Sequence, residues 1–233
     1  FRRVMKLPRI QALPKFVQLP TSKSLANRWL ILQSLYPNQL EVTMSDLSED
    51  IIVLQRALNS KEDEIDIGHA GTAMRFLTAY LAQNESREIC LTGSERMQQR
   101  PIEPLVSVLR QLGASIEYLG QEGFPPLKIT GQKLRSKTIE IDGSISSQYV
   151  TALLLIGSKM EGGLKMRLKG AVVSKSYIEL SLSVLKQAGI KASIQDTEIS
   201  VEQIETLPEN KKVTVEMDWS AASFWFGWVA VTP

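Results

Sequence analysis

Residues 21–35, TSKSLANRWLILQSL, open on hydroxyls and cations and run into an apolar helix, and this plan occurs three times in the chain. GHAGTAMRFLTAYLA at 68–82 and GSISSQYVTALLLIG at 143–157 share it: a Ser/Thr/Gly-rich turn, then an apolar helical run. Each is followed by a second helical pattern, EDIIVLQRAL (49–58), IEPLVSVLRQLGASIEY (102–118) and SYIELSLSVLKQAGIKASI (176–194). Gly113 and Gly189 suit the position just past a helix end. Strand-like runs fall between and after the helices, at EICLTG (88–93), LKITG (127–131), TIEIDG (138–143), LKMRLKG (164–170), ASIQD (192–196), TEISVEQI (197–204) and KVTVEM (212–217). The repeating unit is strand, helix, strand, helix, strand, strand. NSKEDEIDIG (59–68) leaves little room after the second helix of the first copy, which is therefore the shortest. Units of this kind can pack their helices together and keep their sheets outside. The expected fold is an α/β (in some schemes α+β) pseudo-threefold domain of βαβαββ units.

A fourth polar turn and helix begin at EMDWSAASFWFGWVAV (216–231), where the sequence stops. A unit that starts without finishing reads as a truncated chain whose last helix has no sheet to cover it. With 233 residues, 43% hydrophobic and 22% charged, the composition is globular. The formal charge of +2 comes from scattered rather than clustered basic residues, which excludes a nucleic-acid footprint. One cysteine, Cys90, cannot form an intramolecular disulfide, so a cytoplasmic location is expected. Its strand-like surroundings make it a buried apolar thiol. No apolar run reaches the ~20 residues of a membrane helix, and no signal-peptide pattern opens the chain.

The first helix start is electrostatically inverted. Partial positive charge gathers at a helix N-terminus, where acids stabilise and cations do not, yet Lys23 and Arg28 stand there without a neighbouring acid. An anion bound on the backbone N–H groups would reconcile them. Ser24 and Arg28 share a helix face, with Lys23 and Asn27 beside them. In the second repeat Gly68, Ala70 and Gly71 allow close backbone approach, as an anion loop or as an ordinary helix start. Arg96 and Arg100 lie in a loop closed by Pro101, and Arg100 offers either a fork for phosphate or carboxylate or a solvated surface cation. Ser146, Ser147 and Gln148, and then Ser174, Lys175 and Tyr177, open further helices, where capping competes with binding. Repetition favours a site, because related units turn these ends to a common side. A single histidine, His69, leaves acid–base chemistry to Lys, Asp or Glu, with Lys23 as candidate catalyst or plain anion ligand.

These motifs together resemble the N-terminal portion of the 5-enolpyruvylshikimate-3-phosphate synthases (3-phosphoshikimate 1-carboxyvinyltransferases). LPTSKSLANR (19–28) matches the family's Leu-Pro-Gly-Ser-Lys-Ser and Asn-Arg, with Thr21 for Gly. GHAGTAMR (68–75) matches Gly-Asn-Ala-Gly-Thr-Ala-Met-Arg, and RMQQRPI (96–102) its Arg-Met and Arg-Pro-Ile. DGSISSQ (142–148), VSKSYI (173–178) and DWSAAS (218–223) complete the order. The resemblance implies the inside-out α/β barrel of enolpyruvyl transferases. It assigns shikimate 3-phosphate to Lys23, Ser24, Arg28, Ser146, Ser147, Gln148, Ser174 and Tyr177, and phosphoenolpyruvate to Lys23, Gly71, Arg100 and Gln148. It implies no metal or organic cofactor and a monomeric full-length protein with neither nucleic-acid nor membrane partner. It further implies that residues 1–19 and 218–233 belong to a second lobe and 20–217 to a first lobe of three units. His69 in place of Asn and Ser176 in place of Pro depart from the pattern. UDP-N-acetylglucosamine enolpyruvyl transferase is the neighbouring alternative, disfavoured because Cys90 lies in a strand pattern rather than an exposed catalytic loop. A protein that binds shikimate 3-phosphate without chemistry is the other.

Overall fold

A computed structural model describes residues 16–85, 87–144 and 146–231. The first repeat supplies helix α1 (Lys23–Leu35), strand β1 (Leu40–Thr43) and helix α2 (Glu49–Asn59). The second supplies β2 (Glu64–Asp66), α3 (Gly71–Ala82), β3 (Glu88–Thr92), the short α4 (Glu95–Gln98), α5 (Glu103–Gln111), β4 (Ser115–Tyr118) and β5 (Leu127–Thr130). The third supplies β6 (Thr138–Asp142), α6 (Ser147–Gly157), β7 (Leu164–Lys169), α7 (Lys175–Gln187), β8 (Ala192–Gln195) and β9 (Glu198–Val201). Strand β10 (Lys211–Thr214) and helix α8 (Trp219–Val231) follow.

The second and third sheets share one order, β2-β3-β5-β4 and β6-β7-β9-β8. In each, the first pair is parallel across a helix and the rest antiparallel, so the two units are topological copies. The first sheet has only two strands, β1 and β10, paired in parallel from Leu40↔Lys211 to Thr43↔Thr214. This corrects the sequence reading in two places. KVTVEM, left without a unit by its alternation, pairs in parallel with β1 of the first unit, and EID (64–66), not among the expected strands, opens the second. The first unit has no closing hairpin. Strand identity was visible in alternation, but a strand's partner depends on which edge tertiary packing brings beside it. ERMQ, expected as loop, forms α4, capped by Ser94.

Helices lie inside and sheets outside, as the patterns require. α6 is apolar on every face, and Tyr149 through Gly157 are all buried between α3 and α7. Ala26–Leu32 of α1 and most of α3 are likewise buried, whereas α2, α5 and α7 bury one stripe each. On β7, Leu164, Met166 and Leu168 face inward. Lys169 and Arg167 face water and pair across strands with Glu140 and Glu198, each at 2.6 Å. The same alternation places Ile89 and Leu91 inside and leaves Cys90 half-buried on the outer side of β3. The thiol expected to be buried is thus only partly so, and its pKa is raised by desolvation and then by Glu64.

At the C-terminal end of α1, Tyr36 is 1% exposed and its hydroxyl donates to Ser158 Oγ at 2.8 Å. Burial, opposed in part by that bond, pushes the phenol up to about 12. Because the unfolded chain ionises near pH 10 and the folded chain does not, the unfolded state binds fewer protons between those values and stability falls as pH rises through them. This group should contribute an alkaline loss of up to about 3 kcal/mol, and Tyr36→Phe should remove that share while the contributions of Tyr80 and Tyr118, also raised by burial, stay, as denaturant melts between pH 9 and 12 would show.

α8 projects Trp219, Phe224, Phe226 and Val229 into solvent, with Phe224 81% exposed. Replacing Phe224 and Phe226 together by serine should leave thermal unfolding within about 0.5 kcal/mol of the parent. No helix among the described residues is long and apolar enough to cross a membrane.

Candidate functional site

The chain passes the start of α1 twice. Thr21 bridges Met217, Ser22 N–H donates to Glu216 O at 2.9 Å, and Asp218 N–H donates to Pro20 O at 2.8 Å. Asp218 therefore caps two helices. Its Oδ1 accepts from Ser220 and Ala221 N–H at 2.8 and 3.1 Å, and its Oδ2 from Lys23 N–H at 3.3 Å. Lys23 Nζ pairs with Asp50 Oδ2 at 3.0 Å, at the start of α2. The inverted electrostatics of the α1 start are thus offset by acids 27 and 195 residues away in sequence. The expectation of a helix start without a neighbouring acid is corrected for Lys23, which has two carboxylates beside it. Both carboxylates went unrecognised because neither is a sequence neighbour.

What remains uncompensated lies deeper. Arg28 is 4% exposed and Arg75 5%, and neither has a carboxylate partner among the described residues. Arg28 Nε donates to Ser181 Oγ at 2.9 Å and Nη1 to Ser24 O at 2.6 Å. Its Nη2 donates to Tyr177 O at 3.1 Å and Thr151 Oγ1 at 3.4 Å. Burial lowers this guanidinium to about 10. Arg75 Nη1 donates to Gly71 O at 2.8 Å, while its Nε has no partner. Burial and then the charge of Arg100 lower its pKa. Isolated buried cations are costly, and a diffusible anion can offset them where no protein carboxylate does.

Around these cations the repeats turn their helix starts to one side. Gln148, in the first turn of α6, donates from Nε2 to Thr72 Oγ1 in the first turn of α3 at 3.2 Å. Tyr149 O–H donates to Pro101 O at 2.6 Å, tying α6 to the junction that carries Arg100. Arg100 lies across Gly71, where a Cβ would overlap Arg100 Nη1 and stand 3.0 Å from Arg75 Nη1. Ser146 caps α6, its Oγ accepting from Gln148 N–H at 3.3 Å. Ser147 is the first residue of that helix. Ser174 precedes α7 in the left-handed region at φ 53°, without a capping bond, and Lys175 and Tyr177 follow it, exposed. Tyr177 meets the rest of the site through its carbonyl, which accepts from Arg28. Arg96 stands exposed on α4, and Asn27, one turn after Lys23 on α1, is buried with both side-chain polar atoms unpartnered.

The structure therefore joins Ser24, Arg28 and Tyr177, joins Gly71 with Arg100, and joins α6 to α3 through Gln148. Arg75, Thr72, Asp50 and Asp218 are additions. Arg75 had a signal, since an arginine four residues into an apolar helix start repeats the position of Arg28 after Ser24. Among the described residues no group of three His, Cys, Asp or Glu is placed to hold a metal.

The family model described as EPSP synthase (3-phosphoshikimate 1-carboxyvinyltransferase) matches residues 48–233. The chain belongs to the EPSP synthase family. A 3-phosphoshikimate 1-carboxyvinyltransferase of Bacteroides fragilis is 46% identical over 221 residues, covering 93% of this chain and 52% of that protein. One from Vibrio atlanticus is 38% identical over 256 residues, covering 97% and 59%. The chain spans about half the length of the curated relatives it matches. In fold it resembles the EPSP synthase of Acinetobacter baumannii, with TM-score 0.78 at 23% identity over 93% of this chain and 53% of that one. The enolpyruvyl transferase NikO of Streptomyces tendae follows, with TM-score 0.64 at 15% identity over 91% and 54%. Both structural likenesses bear on the fold, which is the enolpyruvyl transferase architecture implied by the resemblance.

Proposed function

We propose that this chain forms the shikimate 3-phosphate-binding lobe of a 3-phosphoshikimate 1-carboxyvinyltransferase. In that reaction the 5-hydroxyl of shikimate 3-phosphate adds to C2 of phosphoenolpyruvate while C3 takes a proton. Loss of inorganic phosphate from the tetrahedral adduct leaves the enolpyruvyl ether. The observation that carries the reading is the pair of buried guanidinium groups, Arg28 and Arg75, lacking carboxylate partners beneath converging helix starts. Arg28, Ser24, Ser146, Ser147, Ser174 and Tyr177 would hold shikimate 3-phosphate. Gly71 and Arg100 would hold phosphoenolpyruvate, with Lys23 and Gln148 between the two. Lys23 would exchange Asp50 for substrate phosphate, which places a cation where charge develops.

Two further assignments belong to this proposal. Residues 1–19 and 218–233 lead into a second lobe, and the adjacent crossings at Pro20 and Asp218 support a paired hinge there. Closure of two lobes would exclude water from the reaction. The 233-residue chain by itself should bind but turn over little.

Calorimetric titration with shikimate 3-phosphate, using unphosphorylated shikimate as control, tests the assignment. Saturable binding that requires the phosphate is expected. A folded protein that binds neither compound, or both equally, overturns it.

A further inference from the structure

His69 departs from the family motif at GHAGTAMR (68–75). It lies in the turn between β2 and α3, directly before the Ala70–Gly71 helix start. A second turn, between β3 and α4, runs alongside it. Ile67 N–H donates to Thr92 O and Ser94 N–H to Gly68 O, each at 3.1 Å. The turns approach so closely that a Cβ on Gly93 would stand 2.8 Å from Gly68 O. Across this seam His69 Nδ1 and Ser94 Oγ are 2.8 Å apart. Ser94 is also the cap of α4, accepting from Met97 N–H at 3.4 Å. Arg100 N–H in turn donates to Met97 O at 3.0 Å, and the Arg100 guanidinium crosses Gly71.

We propose that His69 is a positioning residue that acts through Ser94, clipping the α4 turn to the α3 start and so holding Arg100 over Gly71. A serine hydroxyl has one hydrogen to donate and two lone pairs. With Met97 N–H on one lone pair, Ser94 keeps a hydrogen and a second lone pair for the ring, so the clip forms with Nδ1 either as acceptor or as N–H donor. The clip uses the δ position of the side chain, so asparagine, with a polar atom at that position, should replace histidine while alanine should not. The consequence for phosphoenolpyruvate rests on the assignment of Arg100 made above.

Because His69 is the only histidine, a long-range ¹⁵N spectrum of the ligand-free chain shows one imidazole without assignment. The Nδ1 signal is expected to shift in Ser94→Ala, and amide exchange at Arg100 should quicken in His69→Ala. An imidazole indifferent to Ser94→Ala, or Arg100 exchange indifferent to His69→Ala, overturns the clip. In calorimetry with phosphoenolpyruvate, His69→Ala and Ser94→Ala should each lose about fivefold in affinity, the worth of one ordinary hydrogen bond. The double variant should be no worse than either single one, and His69→Asn should match the parent. Losses that multiply would show His69 touching the ligand directly and would overturn the positioning role. A parent chain that does not bind phosphoenolpyruvate defeats the Arg100 assignment instead, and the ligand-free measurements still decide the clip.

Discussion

Arg28→Ala is expected to lower stability by about 3 kcal/mol and to weaken shikimate 3-phosphate binding about 100-fold. The guanidinium holds four acceptors from three helices: Ser24 O on α1, Thr151 Oγ1 on α6, and Ser181 Oγ and Tyr177 O on α7. It also stacks over Phe76 of α3, with 5.9 Å from Cζ to the ring centroid. Truncation leaves a cavity and orphans part of this set. The loss stays below the sum of four charged hydrogen bonds for two reasons. Ser181 Oγ still lies 3.0 Å from Thr151 Oγ1 and donates to Tyr177 O at 2.7 Å, and removing a buried cation relieves its own desolvation. Arg28→Lys keeps the charge but lacks the planar fork, so it should recover little of either property. Paired denaturant melts and calorimetry check both numbers. An alanine variant that binds the phosphorylated ligand as the parent does would remove the main support for the proposed site.

Gly71→Ala separates binding from stability. In a helix interior alanine is favoured over glycine by roughly 1 kcal/mol, and position 71 begins α3 with ordinary helical backbone, so unfolding should be nearly unchanged. The new methyl would occupy the place of Arg100 Nη1 and press on Arg75 Nη1 at 3.0 Å. Arg100, exposed and held here by its position rather than by an ion pair, is the group that yields. Phosphoenolpyruvate affinity should fall about 30-fold, the worth of losing one charge-assisted hydrogen bond and its geometry, with shikimate 3-phosphate affinity nearly retained. Equal losses for both ligands would show that the two subsites are not divided as proposed.

Much of this architecture was legible in the chain because its causes are local. Three polar helix starts, three apolar helices and alternating strands follow from periodicity, and they sufficed for helices inside and sheets outside. The Ser146 cap and the glycines past α5 and α7 were legible for the same reason, since each is decided within a few residues. The family resemblance placed Lys23, Arg28, Gly71 and Arg100 by motif, and the structure shows what each one touches.

Strand pairing was not legible. β10 completes the sheet of β1 from the far end of the lobe, and no periodicity encodes which open edge a strand will find. The charges at the α1 start were misread for a related reason. Within the sequence, residues 21–28 have no nearby acid; in the fold Asp50 and Asp218 stand beside Lys23, because Coulomb interactions depend on distance in space rather than along the chain. The same packing did the opposite for Arg28 and Arg75, removing them from water with no carboxylate beside them among the described residues. Sequence alone thus determined the repeat, the layers and the inventory of polar helix starts. Tertiary structure decided which cations meet a carboxylate and which are buried without one, since burial and charge pairing exist only once distant segments meet.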